Sequence, residues 1–420
     1  MKNLNKTQKA LISVNSLRTI LSLFTSTFLT SYIISLNPEN VLTQGLINIG
    51  TLLFADLLAY IVVYYFLSKL VDKSNRVSFL RISIIINTIL LVCIVFFGEQ
   101  LSQWIPIAGA LVGISNAFYN SSYVVMRNEL IGRKQINTYT ILVNVLSNVI
   151  NIFVPIVLGY LIDVSTYSNI AIYVIIISII QYAVSYLIKS SRPQGSAFEL
   201  NKFLKLLKSD KFVRDKIKYT YYNALAAGAK DFYKTLIIIL TIYTFKTNLS
   251  LGIFTSVFSI VTTILLLIYK KFEDKNKIKR LPVNLIIGIF PVVSCLLFLI
   301  TKGIVALTIL NLAMTIAILF SDYISACDRD AVIKNLNKYE YIAEHQFLFE
   351  LFVNIIKGLV CILLIVVGIT GLESLFYIYL LLLMLACPVK YLIMYKQSQI
   401  REELSNTKEL MTSTKPEFTE

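Results

Sequence analysis

Long apolar stretches recur along nearly the whole chain, and they restrict its fold more than any other feature. Twelve windows reach the length of about 20 residues that a helix needs to cross a bilayer. A polar gap separates the first six from the second six. We expect an all-α integral membrane protein whose twelve transmembrane spans lie near residues 10–36, 43–68, 79–98, 103–126, 138–162, 168–189, 218–245, 248–269, 282–301, 303–326, 343–369 and 373–396.

The composition supports a membrane protein. Apolar residues make up 56% of the 420 residues, charged residues only 15%, and the mean hydropathy is +0.73. A soluble domain has about 25% charged residues. We conclude that lipid, and not water, is the solvent for most of this chain, and that the lipid bilayer is its main partner.

Basic residues lie mainly on one side of the predicted membrane. Most of the 39 Lys and Arg residues fall in the N-terminal segment, in the loops between spans 2 and 3, 4 and 5, 6 and 7, 8 and 9, and 10 and 11, and in the C-terminal segment. The loops on the other side of the membrane carry Lys246 and Lys302. The positive-inside rule then places both termini in the cytoplasm of a multi-pass protein. Because the net charge of +15 is spread over many membrane-flanking segments, we expect no nucleic-acid binding.

Two pseudo-symmetric six-helix bundles are the expected domain organisation. The N-terminal bundle covers 1–189, a cytoplasmic linker 190–217, the C-terminal bundle 218–396, and a polar, mobile cytoplasmic tail 397–420. The loop at 69–76 resembles the loop at 270–277 in its order of base, acid, Asn and base, at a shift of about 200 residues, as in transporters built from repeats.

The loop between spans 2 and 3 resembles a family motif. Ser68, Leu70, Asp72 and Arg76 follow the pattern G-x-L-x-D-x-x-x-R of the major facilitator superfamily (MFS), with Ser in place of the first Gly. The resemblance implies the MFS fold, and it implies a cytoplasmic gate in which Asp72 meets the start of span 11. An acid is stabilised at a helix N-terminus, which fits that role. Two interfacial charges without a gating role are the alternative.

Two further family patterns are incomplete. Pro155 and Gly159 in span 5 match the proline-glycine motif of family exporters, but Val154 and Leu158 stand where glycines are expected. Span 4 has no arginine before Arg127, so the membrane-embedded arginine of many proton-coupled exporters is missing from its usual helix. The remnant at span 5 favours a bacterial, efflux-type member.

Charged side chains inside the spans are the main candidates for function. Each costs about 2.5–3.5 kcal/mol at the centre of a lipid-exposed helix, so we expect them to face one another or water. They occur in spans that line or flank the central cavity of the resembled fold. The candidates for the substrate cavity are Lys230, Asp231, Lys234 and Lys357, with Asp322 and Glu350 nearer the inner ends of their helices.

Asp56 and Arg18 are the candidates for proton coupling. A carboxylate at mid-membrane depth is suited to reversible protonation, and Arg18 lies at comparable depth on the neighbouring span. Static ion pairs that hold helices together are the alternative for all these charges, and Asp231 with Lys234, at i and i+3, is the clearest example.

Span 4 carries a polar and aromatic stripe. Asn116, Tyr119, Asn120 and Tyr123 stand at i, i+3, i+4 and i+7, on one face of a helix. The stripe suits an amphiphilic ligand in the cavity, and it equally suits hydrogen bonding between helices.

These observations favour a secondary transporter that works by alternating access. No nucleotide-binding P-loop is present, so we expect proton antiport and the efflux of an amphiphilic small molecule. Uptake of a small organic anion or sugar is the alternative transport function. We expect no cofactor and no metal, and a monomer in the plasma membrane of a bacterium with an AT-rich genome.

A membrane-embedded lipid-modifying enzyme is the alternative from another class. Its catalytic groups would have to come from 328–330 and His345 at the cytoplasmic surface. Because these residues do not form a recognisable catalytic pattern, we expect the chain not to be an enzyme.

Overall fold

The computed structural model describes residues 4–36, 40–70, 75–131, 136–189, 198–273, 280–336 and 338–413. Helices joined by short turns make up almost all of these segments, which confirms the all-α prediction. The membrane-spanning helices are α1 (Lys6–Ser35), α2 (Val41–Leu70), α3 (Arg76–Gln103), α4 (Ile105–Leu130), α5 (Ile136–Val164), α6 (Tyr167–Ser185), α7 (Lys211–Asp231 and Tyr233–Phe245), α8 (Asn248–Glu273), α9 (Arg280–Thr301), α10 (Ile304–Asn335), α11 (Ile342–Thr370) and α12 (Glu373–Ser413).

Ten of these helices are long and apolar enough to cross a membrane, as judged on the described residues. The two others are α4 and α7, which coincide with predicted spans 4 and 7. Polar residues lower the hydropathy of α4, and α7 carries Lys230, Asp231 and Lys234 beside its break at Phe232. Helices that line a polar path carry such residues, so both fit the predicted fold.

Local capping determines where several helices begin. Asn5 and Gln8 form a reciprocal capping box at the start of α1. The side chain of Asn75 accepts the N–H of Val77 at the start of α3, and Pro106 lies in the first turn of α4, where its missing N–H has no cost.

The first of two compact units comprises Met1–Gln194, Phe232–Leu267 and Lys357–Tyr379. It therefore contains α1 to α6 together with one half of α7, most of α8, one half of α11 and the first residues of α12. Ser83 donates to the carbonyl of Ser115 at 2.8 Å between α3 and α4, and Gln181 donates to the carbonyl of Val14 at 3.0 Å between α6 and α1. Buried polar bonds of this kind hold the apolar helices in register.

The second unit comprises Gly195–Asp231, Ile268–Ile356 and Leu380–Glu420. Within it Tyr391 of α12 donates to the carbonyl of Ala317 of α10 at 2.8 Å. Asn223 of α7 donates to Gln397 of α12 at 2.8 Å. The predicted bundle boundaries at 189, 218 and 396 remain a prediction.

Two segments outside the predicted spans are also helical. Residues Leu200–Ser209 form a short helix whose Phe203 is buried and stacks on Tyr341. Residues 397–413 continue α12, because Gln397 is buried and bonded to α7.

Candidate functional site

Arg18 is buried between α1 and α4. Its guanidinium donates to Ser115 Oγ at 3.2 Å and to Asn116 Oδ1 at 2.6 Å, and it lies 5.1 Å from the centre of the Tyr119 ring. The side chain is only 8% exposed. Because these partners are one helical turn of α4, the guanidinium is held in one position by two hydrogen bonds and a cation–π contact.

Asp56 lies where α2 and α4 come closest. A Cβ on Gly113 would lie 2.1 Å from the Asp56 carbonyl oxygen, and one on Gly109 would lie 2.2 Å from the Leu52 carbonyl oxygen. Gly109 and Gly113 form a GxxxG pair, which lets two helix backbones approach closely in lipid. The carboxylate of Asp56, which is half-buried, is thereby held beside α4.

Lys357 of α11 lies near enough to Asp56 for its charge to act on the carboxylate. The charges that act on Asp56 are those of Lys357 first and Arg18 second. The sequence predicts Arg18 as the partner of Asp56, since Lys357 lies far away along the chain. The structure brings Arg18, Asp56 and Lys357 together, and we call these three residues the charge cluster.

Contacts between α2 and α11 bring Lys357 to this position. A Cβ on Gly50 would lie 2.5 Å from the Ile365 side chain, and Gly358 lies against the Phe54 ring. Small residues therefore allow α11 to pack closely along α2. This contact runs from the charge cluster to the ends of the two helices that lie on the membrane side opposite the termini. We call that end of each helix the outer end.

The Pro155 and Gly159 remnant lies at a second close contact, between α5 and α8. A Cβ on Gly159 would lie 2.4 Å from the Asn248 carbonyl oxygen, and one on Gly252 would lie 2.3 Å from the Pro155 carbonyl oxygen. Each helix thus places one glycine against a backbone carbonyl of the other helix: Gly159 of α5 against Asn248, and Gly252 of α8 against Pro155. Glycine is required at both positions because a side chain would collide with backbone atoms.

Asp163 joins the same two helices at their outer ends. Its carboxylate accepts the backbone N–H of Asn248 at 3.0 Å and of Leu249 at 2.8 Å, together with the Asn248 amide at 2.8 Å. An acid at a helix N-terminus satisfies free N–H groups and the helix dipole. We use the term outer contact for the contact of α2 with α11 and the contact of α5 with α8 taken together.

The stripe on α4 is largely occupied by bonds to other helices. Asn116 accepts from Arg18, and Tyr119 donates to Asn15 at 2.8 Å. Tyr123 and Tyr139 share a hydrogen bond at 3.1 Å. Asn120 is exposed and donates to Tyr60 at 3.3 Å. The stripe therefore positions helices and Arg18, with Asn120 as its exposed member.

The remaining charges fall into separate settings. Lys230 is buried and forms an ion pair with Asp231 at 3.0 Å. The break in α7 after Asp231 interrupts the helical spacing on which the predicted Asp231–Lys234 pair rests, and Lys234 is exposed. Glu350 is half-buried on α11. Asp322 lies on α10, and its side chain is outside the described residues.

The gate motif is described in part. Ser68 donates to the carbonyl of Tyr64 at 2.8 Å, Leu70 is exposed, and Arg76 is buried at the start of α3. Asp72 lies outside the described residues. The implied contact of Asp72 with α11 therefore remains a prediction.

Several residues of the site were missed by sequence reasoning. Ser115, Tyr60 and Asp163 are ordinary polar residues whose partners lie on other helices. Gly109 and Gly113 carried a usable signal, because GxxxG in an apolar helix predicts close packing.

Comparison with known families agrees with this architecture. Residues 19–331 match the family model described as Major Facilitator Superfamily. The chain belongs to the Major Facilitator Superfamily. It is accordingly a multi-pass membrane transporter of the secondary type. No curated relative matches the chain.

Several solved transporter structures resemble this chain in fold at low sequence identity. One is a bacterial homologue of the iron transporter ferroportin in an inward-facing state, with 10% identity, a TM-score of 0.62, and coverage of 93% of this chain and 98% of that chain. Two are POT family transporters, in complex with a thioalcohol-conjugated peptide (10% identity, TM-score 0.67) and with 5-aminolevulinic acid (11% identity, TM-score 0.65). For both POT family structures the match covers 94% of this chain and 96% of the solved chain.

Proposed function

We propose that this MFS protein is a proton-coupled exporter of amphiphilic small molecules in a bacterial plasma membrane, with both termini cytoplasmic. The charge cluster carries the proposal. Its three side chains come from α1, α2 and α11 and lie beside the α2–α11 contact, so its charge state bears on the outer contact.

Asp56 is the proton carrier in this mechanism. Ionised Asp56 attracts Lys357 and thereby draws α11 towards α2. Protonation of Asp56 removes that attraction. The α2–α11 contact then weakens, which favours opening at the outer end. Alternating access needs an event of this kind that favours one of two states.

Arg18 supplies the guanidinium that α4 lacks. Family exporters carry a membrane-embedded arginine on this helix, whereas here Arg18 of α1 bonds to Ser115 and Asn116 of α4. We infer that Arg18 takes over the electrostatic role of the missing residue. Its position near Asp56 lets it compete with Lys357 for the carboxylate.

The substrate class follows from the surroundings of the cluster. The charge cluster contains two basic side chains and one acid, and Tyr60, Tyr119 and Phe54 lie close by. We infer an amphiphilic substrate with an aromatic or apolar body and an anionic group. Uptake of a small organic anion is the second candidate, and the two basic side chains of the charge cluster support it as well.

Transport by purified protein in liposomes that contain a pH-sensitive dye tests the proposal. A panel of amphiphilic drugs, organic acids and sugars is added, and proton movement that depends on the added compound is recorded. We expect Asp56→Asn to abolish proton movement while purification yield and thermal stability stay unchanged. Glu99→Gln, an exposed acid at the outer end of α3, is the matched control and should transport normally.

The outcomes separate the candidates. Normal proton movement in Asp56→Asn contradicts the role of Asp56 in coupling. Loss of folded protein in Asp56→Asn favours a structural ion pair. If an added organic anion and protons move across the membrane in the same direction, the result favours uptake by symport.

A further inference from the structure

A lateral groove between α3 and α6 lies away from the charge cluster. Its volume is ≈ 330 Å³, and its walls are formed by apolar side chains that include Ile85, Ile89, Val92 and Ile179. This volume is at the lower end of the range of small-molecule sites. The same helices carry rows of exposed apolar residues, so the groove opens on the surface that faces lipid.

A basic and aromatic group lies at one end of this groove. The guanidinium of Arg81 lies 3.9 Å from the centre of the Tyr186 ring, and its Nε donates to Ser185 Oγ at 3.3 Å. Tyr186 donates to the hydroxyl of Tyr182 at 3.1 Å, and Tyr182 also lines the groove. Since a guanidinium has five donors, the bond to Ser185 leaves others available for an anion.

The dimensions of the groove match one leaflet of a bilayer. Arg81 lies five residues after Arg76, the first residue of α3, so it is close to the membrane surface on the side of the termini. Cys93 at the other end of the groove lies about 18 Å further along the helix, at 1.5 Å per residue. Half of the hydrocarbon core of a bilayer is about 15 Å thick.

We propose that this groove binds an anionic phospholipid of the leaflet on the side of the termini. The phosphate group binds at Arg81, and one acyl chain lies in the groove between α3 and α6. Apolar walls over the length of a leaflet, ending in a fixed cation, are complementary to such a lipid. Lys189, exposed after the end of α6, adds positive charge at the level of the headgroup.

Native mass spectrometry of the full-length protein in detergent tests the proposal. The probes are dioleoylphosphatidylglycerol and dioleoylphosphatidylcholine, which share their acyl chains and differ in net charge. We expect the anionic lipid to be retained about fivefold more than the zwitterionic lipid, the effect of one basic residue near the headgroup. Arg81→Gln should abolish this preference, and Arg81→Lys should keep it.

Lys69→Gln is the matched control. Lys69 also lies over an aromatic ring, 4.0 Å from the centre of Tyr65, at the end of α2 on the side of the termini, but it does not adjoin the groove. It should retain the wild-type preference. Ile89→Trp, which fills the groove from an exposed position, should lower retention of both lipids. Glycerol phosphate without acyl chains should not be retained.

Four results would overturn the proposal. They are equal retention of the two lipids by the wild type, an unchanged preference in Arg81→Gln, an equal loss in Lys69→Gln, and full retention in Ile89→Trp. Circular dichroism of each variant establishes that it is folded.

Discussion

At the scale of single residues, the position of Arg18 is the most informative. An unpaired guanidinium in a membrane is costly, and Arg18 avoids that cost through Ser115, Asn116 and Tyr119 on a neighbouring helix. The sequence predicted that the charge must be compensated. The sequence did not show which residues compensate the charge, because the partners of Arg18 are uncharged and lie about 100 positions away along the chain.

Asn116→Ala tests the contribution of this contact to stability. We expect the free energy of unfolding to fall by about 1.5–3 kcal/mol, the value of a hydrogen bond to a charged group. The midpoint of thermal unfolding in detergent measures the change. Asn144→Ala, an exposed amide on α5, is the control and should leave the midpoint unchanged. An equal midpoint in Asn116→Ala and the wild type would contradict this assignment.

At the scale of elements, close helix approach is produced by glycine and small residues. Gly109 and Gly113 bring α4 onto α2, Gly50 brings α2 onto α11, and Gly159 and Gly252 bring α5 onto α8. Lipid solvates leucine side chains as well as another helix does, so tight packing and hydrogen bonds determine which helices associate. The apolar spans were predictable from local composition, whereas these pairings were not.

Gly113→Ala tests the α2–α4 approach. The new Cβ would lie 2.1 Å from the Asp56 carbonyl oxygen, so the helices must separate. We expect destabilisation by about 1–3 kcal/mol, measured by thermal unfolding, because overpacking displaces backbone. At Gly303 the nearest atoms to a new Cβ lie 3.9 Å away, so Gly303→Ala should be neutral. Equal effects of the two substitutions would disprove the close approach.

At the scale of the whole molecule, the outer contact joins the first six helices to residues of the second set. In an alternating-access transporter such a contact must break and re-form during each cycle. It is built from two glycine-mediated helix pairs and one carboxylate, Asp163, at the N-terminus of α8. Its strength therefore influences the balance between the two states.

Asp163→Ala is expected to shift this balance towards a state open at the outer end. Loss of a capping carboxylate costs about 1–2 kcal/mol, which corresponds to roughly a tenfold shift between two states. Double electron–electron resonance between spin labels at Ser35 and Thr247, which are both exposed, measures the distance between the two labels. In Asp163→Ala the distance distribution should gain a population at longer distance. Glu373→Gln, an exposed acid at the outer end of α12, is the control, and an unchanged distance distribution in Asp163→Ala would refute the prediction.

The sequence by itself determined the membrane environment, the helical class, the approximate spans and the charged side chains that lie within them. Each of these follows from the free energy of placing a local segment in lipid, which depends on that segment alone. The MFS resemblance also rested on short local motifs around Arg76 and Pro155.

Only the tertiary structure decided which charges meet. Asp56 lies near Lys357 because Gly50 and Gly358 let α2 and α11 pack together, and Arg18 faces Ser115 because α1 packs on α4. Such pairings depend on side-chain shape and hydrogen bonding between distant segments, and composition or periodicity within one helix carries no information about them.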